Sequence, residues 1–199
     1  MKKALLINGH QRYDGFAEGR LNQTLIDTAN DLLSGIDYEV KTTIVEKGYD
    51  VAEELEKYKW TDVVFVQSPV YWMNVPYIFK KYMDEVHTAG IGEVLCTDDG
   101  RTRSDLSKKY GSGGLMQGKK YMISTTWNAP LESLEEPNQF FEGKGIDGVF
   151  MWLHKNYQFF GMEPLPSFSC HDVLKNADVE NDLKRFKHHL KSAFDTTMP

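Results

Sequence analysis

The chain has 199 residues and a mass of 22.9 kDa, the usual length of one domain and enough to bury roughly 70% of its unfolded surface without a disulfide or metal staple. It carries 23 Lys and Arg against 29 Asp and Glu, for a net charge of −6, and is 41% hydrophobic and 26% charged. That profile excludes disorder and collagen-like repeats, and it disfavours duplex binding, which needs clustered basic residues to neutralise phosphates.

Ala4–Ile7 is a short apolar run ending at Asn8-Gly9, which predicts a buried parallel strand. It is too short for a signal peptide or a membrane span. Only Cys96 and Cys170 are present, so no disulfide framework is expected, and the expected location is the cytoplasm. Leu21, Leu25, Ala29 and Leu32 recur at helical spacing and predict a helix over Arg20–Ser34 stopped by Gly35. Tyr38–Glu46 predicts a strand, Val51–Lys59 a helix with Asp50 as N-cap, and Val63–Val66 a second fully apolar strand. After Asn74-Val75-Pro76 a helix is predicted to about Val86. Residues 88–119 show little periodicity, and an irregular stretch of that length is usually functional. Beyond it come a strand at Tyr121–Thr126, an aromatic-rich helix at Ile146–Phe159, a short strand at Leu165–Ser169 behind Pro164, and a closing helix marked by Val179, Leu183, Phe186, Leu190 and Phe194. Phe65, Phe150 and Phe186 are expected in the core.

Alternating strands and helices with no internal repeat predict a single α/β domain over residues 1–199, a three-layer sandwich of five parallel strands in the order 2-1-3-4-5 with helices on both faces. In that order a ligand lies beyond the carboxyl ends of strands 1 and 3, where the winding reverses. The loops after Asn8, Gln67 and Thr126 therefore carry the chemistry.

The first loop runs from His10 to Gly19 straight into a helix, whose N–H groups and positive dipole end suit a phosphate, with Asn22 and Thr24 as further donors. A plain capped helix is the alternative. It is neither a Gly-x-Gly-x-x-Gly nor a Gly-Lys-Ser/Thr loop. The second loop holds Val70, Tyr71, Trp72 and Met73, which either cover a flat ring or pack beneath the loop or in a dimer interface. The third places Trp127 directly after a central strand; two such loops would clamp a ring, with N–H groups near Trp127–Ala129 facing its polar edge. Aromatic burial, at ~25 cal/mol per Å² over ~150–250 Å², outweighs helix-end charge at about 0.3–1 kcal/mol per contact. There is no acyl-transfer elbow and no metal-ligand pattern, so the reactive group of an enzyme with this sequence is borrowed from a cofactor.

Seven runs appear in order: Leu6–Gly9, Trp72-Met73-x-x-Pro76, Asp99–Arg103, Lys108–Leu115, Gly118–Met122, Trp127–Pro130 and Gly161–Pro166. Together they closely resemble the "modulator of drug activity B" NAD(P)H:quinone oxidoreductases, within the quinone reductases of flavodoxin-like fold. The resemblance spans Lys3 to about Leu190. It implies a homodimeric FAD enzyme that moves two electrons as a hydride from NADPH or NADH to a quinone by a ping-pong route. The flavin carries the hydride, and no side chain is a strict acid or base. It implies flavin contacts at Ala17, Glu18, Gly19, Arg20, Leu21, Asn22, Gln23 and Thr24; at Val70, Tyr71, Trp72 and Met73; at Thr126, Trp127, Asn128 and Ala129; and at Glu54 and Tyr110. No metal is expected. Arg101, Arg103, Lys108 and Lys109 are the candidates for a dinucleotide 2′-phosphate. The rival expectations are an FMN electron carrier of the same fold, an azo- or nitro-reductase of the group, and a non-catalytic nucleotide-binding module.

Overall fold

A computed structural model describes residues 1–194. Its sheet is built from β1 (Lys2–Asn8), β2 (Tyr38–Ile44), β3 (Val63–Pro69), β4 (Lys120–Thr126), β5 (Glu163–Pro164) and β6 (Phe168–Cys170). The path runs β2-β1-β3-β4-β5, with β6 also paired to β4, and every pairing is parallel. The helices are α1 (Arg20–Gly35), α2 (Val51–Trp60), α3 (Tyr77–Ala89), α4 (Glu132–Glu135), α5 (Gly145–Val149), α6 (Met151–Phe159) and α7 (Val179–Phe194).

Strand side chains alternate between faces, and the apolar strands feed two cores. Ala4, Leu6, Val63, Phe65 and Met122 face α1 and α7, where they meet Leu25, Leu33, Phe186 and Leu190. Leu5, Ile7, Val64, Val66, Tyr121 and Ile123 face the opposite side and meet Tyr58, Phe79, Tyr82, Phe150 and Tyr157. Burial on both faces explains why β1 and β3 read as continuous apolar runs.

Several boundaries differ from the sequence expectation for local reasons. The fifth strand is two short strands, because Pro164 and Pro166 lack the N–H a ladder needs. Leu165, between them, still donates to the Tyr121 carbonyl at 2.7 Å. Gly35 is the last residue of α1, and the left-handed turn beyond it falls on Asp37, with φ 68°. Asp50 caps α2, its carboxylate accepting from the Glu53 N–H at 3.0 Å. The expected helix at Ile146–Phe159 breaks at Phe150 into α5 and α6. Residues 90–119 form no helix or strand, only isolated bridges such as Cys96 to Gly114.

A polar network crosses the sheet at the carboxyl ends of its central strands. Asn22 Nδ2 donates to Asn8 Oδ1 (2.8 Å), Gln67 Nε2 donates to Asn22 Oδ1 (2.9 Å), and Ser124 Oγ donates to Gln67 Oε1 (2.6 Å). All four side chains are buried and hydrogen-bonded, as buried polar groups must be. The network forms a floor beneath the loops that follow β1, β3 and β4.

Candidate functional site

The first loop joins β1 to α1. A small hairpin within it pairs Tyr13 with Ala17, the two exchanging N–H···O bonds of 3.0 and 2.7 Å. The N-cap of α1 is Gly19 at φ 78°, with no side chain capping the helix and no acidic residue in its first turn. The N–H groups of that first turn have no partner within the helix, so the end is open to an anion. The Asn22 side chain is 2% exposed and committed to the polar floor, which leaves only its backbone N–H at the helix start. The Thr24 hydroxyl donates back to the Arg20 carbonyl at 2.9 Å. Glu18 pairs with Arg12 at 2.7 Å, Arg20 is exposed, Leu21 packs on the α1 core, and Gln23 donates to Asp27. What this loop offers an anion is therefore backbone N–H from Glu18 onward into the first turn of α1, the Ala17 N–H being held by Tyr13, rather than the side chains of Asn22 and Thr24.

The second loop is a four-residue turn. Tyr71 N–H donates to the Asn74 carbonyl at 2.8 Å, and Asn74 N–H returns the bond at 3.1 Å. Its central residues Trp72 and Met73 have φ of 51° and 60°. Left-handed backbone at both central positions is the type I′ arrangement, normally given to Asn and Gly. A bulky L-residue there costs about 1–2 kcal/mol. Strain of this kind persists where surrounding structure fixes it, and it concentrates at functional sites. Here the turn leaves the Trp72 indole 93% exposed and Met73 46% exposed. Tyr71 is not turned outward: its hydroxyl donates to the Gln11 carbonyl at 2.7 Å and its ring lies 5.6 Å from that of Tyr13. Burial raises the Tyr71 phenol to about 12, with Tyr13 and Glu46 adding to the shift. The second loop is thus tied to the first, and Val70 N–H ties it to the third through the Thr126 carbonyl at 2.9 Å.

The third loop corrects the expectation of a second indole over a ring. Trp127 is 2% exposed and lies beneath its loop, edge-on to Phe141 and Phe150 and stacked on His171, with Nε1 donating to Thr125 Oγ1 at 2.8 Å. Its N–H donates to the Cys170 carbonyl (2.9 Å) and its carbonyl accepts from Val173 (3.0 Å), so the backbone of Trp127 is committed too. Thr126 is buried at the end of β4, while Asn128 is exposed and Ala129 half-buried.

Two expected contacts lie elsewhere in the same chain. The Glu54 carboxylate is 1% exposed and accepts from Thr43 Oγ1 (2.9 Å), Tyr82 OH (2.7 Å) and Lys57 Nζ (2.5 Å). It ties α2 to β2 and α3 and has no open path to a ligand. Tyr110 is 70% exposed, stands 5.4 Å from the Phe159 ring, and carries the Arg101 guanidinium over its own ring. It lines a cavity of about 640 Å³ with Met83, His87, Ile91, Trp152 and Phe159. That cavity lies between α3, α6 and the irregular stretch after α3, and none of its lining residues belongs to the three loops. Arg101 also pairs with Asp99 at 2.5 Å. Among the described residues no His, Cys, Asp or Glu group is arranged to hold a metal, and no helix is long and apolar enough to cross a membrane.

The residues present fit a phosphorylated, flat-ringed cofactor. The helix start is open and uncapped, and the adjacent turn holds an aromatic outward. Two buried polar atoms in the first loop, His10 Nε2 and Gln11 Oε1, have no hydrogen-bond partner among the described residues. Sequence reasoning passed over His10 because a lone histidine after a strand carries no pattern; its neighbour Glu46 is 36 residues further along, and only the fold brings them to 3.6 Å.

A family model described as "flavodoxin-like fold" matches residues 2–193. The NADPH:quinone oxidoreductase MdaB of Haemophilus influenzae is 44% identical over 190 residues, covering 96% of this chain and 98% of its own. Among solved structures, a Klebsiella pneumoniae protein described as a quinone reductase superposes with a TM-score of 0.77 at 20% identity, over all of this chain and 85% of that one. The general stress protein 14 of Treponema denticola, in complex with FMN, superposes with a TM-score of 0.66 at 18% identity, covering 97% and 99% of the two chains.

Proposed function

The chain belongs to the flavodoxin-like family of NAD(P)H:quinone oxidoreductases that includes the Haemophilus MdaB protein, and we propose that it is an FAD-dependent, two-electron quinone reductase drawing on NADPH or NADH. The observation that carries the reading is the pairing of an uncapped helix start with a strained turn that exposes Trp72. When bound, the flavin supplies the redox chemistry by accepting a hydride from the nicotinamide and giving it to the quinone. Nicotinamide and quinone would then alternate at one site, which is a ping-pong order.

The chain's own residues bind and orient. The start of α1, from Glu18 into its first turn, would hold the phosphates with backbone N–H groups. Trp72 and Met73 cover one side of the ring system and exclude water. N–H groups of Asn128 and Ala129 would oppose negative charge developing on it, as preorganised donors do. Residues 9–19 contain no Ser or Thr, so the helix end adds no hydroxyl donors. That favours phosphodiester oxygens, with one charge per phosphate, over a terminal phosphate with up to two, and so favours FAD over the FMN held by the Treponema protein. Tyr110 lines a separate cavity that none of the three loops borders. A homodimer in which a second copy supplies Tyr110 completes the site.

The test is direct. The purified protein is expected to show flavin absorbance and to release FAD in acid. It is expected to oxidise NADPH or NADH with menadione under anaerobic conditions with parallel double-reciprocal lines. A colourless protein that neither FAD nor FMN reconstitutes refutes the reading, and release of FMN refutes the choice of flavin.

A further inference from the structure

His10 is 7% exposed at the end of β1, and its N–H donates to Asn8 Oδ1 at 3.1 Å. Its ring packs directly against the helix N-cap. A Cβ built on Gly19 would fall 2.6 Å from His10 Cε1, 2.8 Å from Nδ1 and 3.0 Å from Nε2. Glycine is required there both by that contact and by its φ of 78°. Nδ1 faces Glu46 Oε2 at 3.6 Å, and Nε2 is buried without a hydrogen-bond partner. The start of a 16-residue helix thus carries a second, independent mark: an imidazole with one nitrogen toward a carboxylate and the other unsatisfied.

Every charged or titratable group around the ring is identifiable. Glu46 sits in the single 3-10 turn after β2 (Val45–Lys47) and also accepts from the Arg12 N–H at 2.7 Å. Arg12 and the Ala17 carbonyl face the ring from the first loop, and Tyr71 lies edge-on at 6.5 Å from the second. Burial dominates and draws the imidazole below its ordinary range; Arg12 acts in the same direction, while Glu46 and the Ala17 carbonyl oppose both. An added negative charge at the helix start acts against burial and in the same direction as Glu46, since a nearby opposite charge favours the ionised form.

We propose that phosphate binding at the start of α1 is coupled to protonation of His10, so that the chain takes up one proton per phosphorylated flavin bound. The proposal rests on the reading that a flavin phosphate docks at that helix start. Its sign is fixed by linkage: a group that titrates low when the site is empty and high when it is filled gains a proton on binding at every pH between the two values. In that window the Kd for the flavin rises with pH, approaching about tenfold per unit. Nδ1 lies toward Glu46 and Nε2 is the ring nitrogen without a partner among the described residues, which makes Nε2 the position where added charge is satisfied by an incoming anion.

The experiment uses flavin-stripped protein titrated with FAD, FMN and riboflavin. Kd is read from flavin fluorescence between pH 5.5 and 9, and proton uptake from calorimetry in non-phosphate buffers of different ionisation enthalpy. FAD is the decisive probe, because its phosphodiesters do not titrate in this range, whereas a monoester phosphate does so near pH 6. The expected result is uptake of about 0.5–1 proton per FAD at neutral pH and a Kd that rises about 5–10-fold per pH unit. Riboflavin, which has no phosphate, is expected to show neither. His10→Gln is expected to abolish the proton uptake. Should that variant fold poorly, Glu46→Gln keeps the imidazole and is expected to move the whole Kd profile to lower pH. FAD binding without proton uptake, or the same slope in His10→Gln, overturns the coupling while leaving the functional reading intact. A chain that binds no flavin at all overturns both.

Discussion

Replacing Trp72 by glycine separates the cost of the second loop from its use. Trp72 sits at φ 51° in a type I′ turn and is 93% exposed, so the flavin-free chain loses almost no buried area when the indole is removed. Glycine relieves a left-handed conformation worth about 1–2 kcal/mol and adds about 0.5–1 kcal/mol of unfolded-state entropy. The flavin-free protein is therefore expected to be unchanged or stabilised by up to about 1.5 kcal/mol, a rise in Tm of at most about 6 °C at this length. The flavin-bound form behaves oppositely. One face of an indole covering a ring buries roughly half of its ~150–250 Å², and at ~25 cal/mol per Å² that amounts to about 2–3 kcal/mol. Kd for the flavin should rise roughly 30- to 150-fold, since 1.4 kcal/mol is a factor of ten. The assay is thermal unfolding of the stripped protein alongside fluorescence titration with flavin. A stripped variant that melts clearly lower, or that binds flavin as tightly as the parent, refutes the argument.

Other expectations follow from particular groups. Glu54→Gln breaks a buried cluster and should cost about 1–3 kcal/mol in urea unfolding, less than a fully buried pair because Lys57 is 23% exposed; flavin Kd should not move, and a weakened flavin would show that Glu54 reaches the cofactor after all. Burial lowers the His87 imidazole to about 3, so the unfolded chain, at about 6.5, takes the proton first as pH falls, and stability drains away from about pH 6.5 downward. Between pH 7 and 5 this one group should remove about 2 kcal/mol, and His87→Leu should flatten the pH dependence by that amount; an identical slope in the variant rules it out. Burial raises the thiols of Cys96 and Cys170, the latter to about 12, and both are at most 1% exposed. Neither should react with a thiol-specific chromogenic disulfide until the chain is unfolded, and rapid labelling of the native protein contradicts the packing.

The sheet was legible from the sequence because its strands are buried on both faces and its helices are amphipathic at the right period. Ala4–Ile7 and Val63–Val66 announce themselves as apolar runs, and Leu21, Leu25, Ala29 and Leu32 mark α1, although the structure buries Leu33 rather than Leu32 on its inner face. The loops were legible only as places. That Trp72 is turned out while Trp127 is turned in cannot be read from two tryptophans that both follow a central strand. The difference lies in a backbone turn at one and in Phe141, Phe150 and His171 at the other, residues 14–44 positions away. Asn22 looked like a phosphate donor because a polar residue early in a helix usually points outward. Its partners, Asn8 and Gln67, arrive from two separate strands. The split fifth strand was in reach, since Pro164 and Pro166 stand there in plain view.

The prolines of that split strand also govern how copies of the chain can meet. β5 and β6 form one side margin of the sheet and β2 the other. A free strand margin is a template for pairing with another chain, and runaway pairing of this kind leads to fibrous aggregates. One margin is cut into pieces of two and three residues by imino acids that cannot donate to a neighbour. The other alternates toward solvent with Glu39 and Lys41, and charged side chains resist intermolecular stacking. Neither margin suits an extended continuous sheet, so association between copies is directed to side-chain surfaces of loops and helices rather than to strand edges.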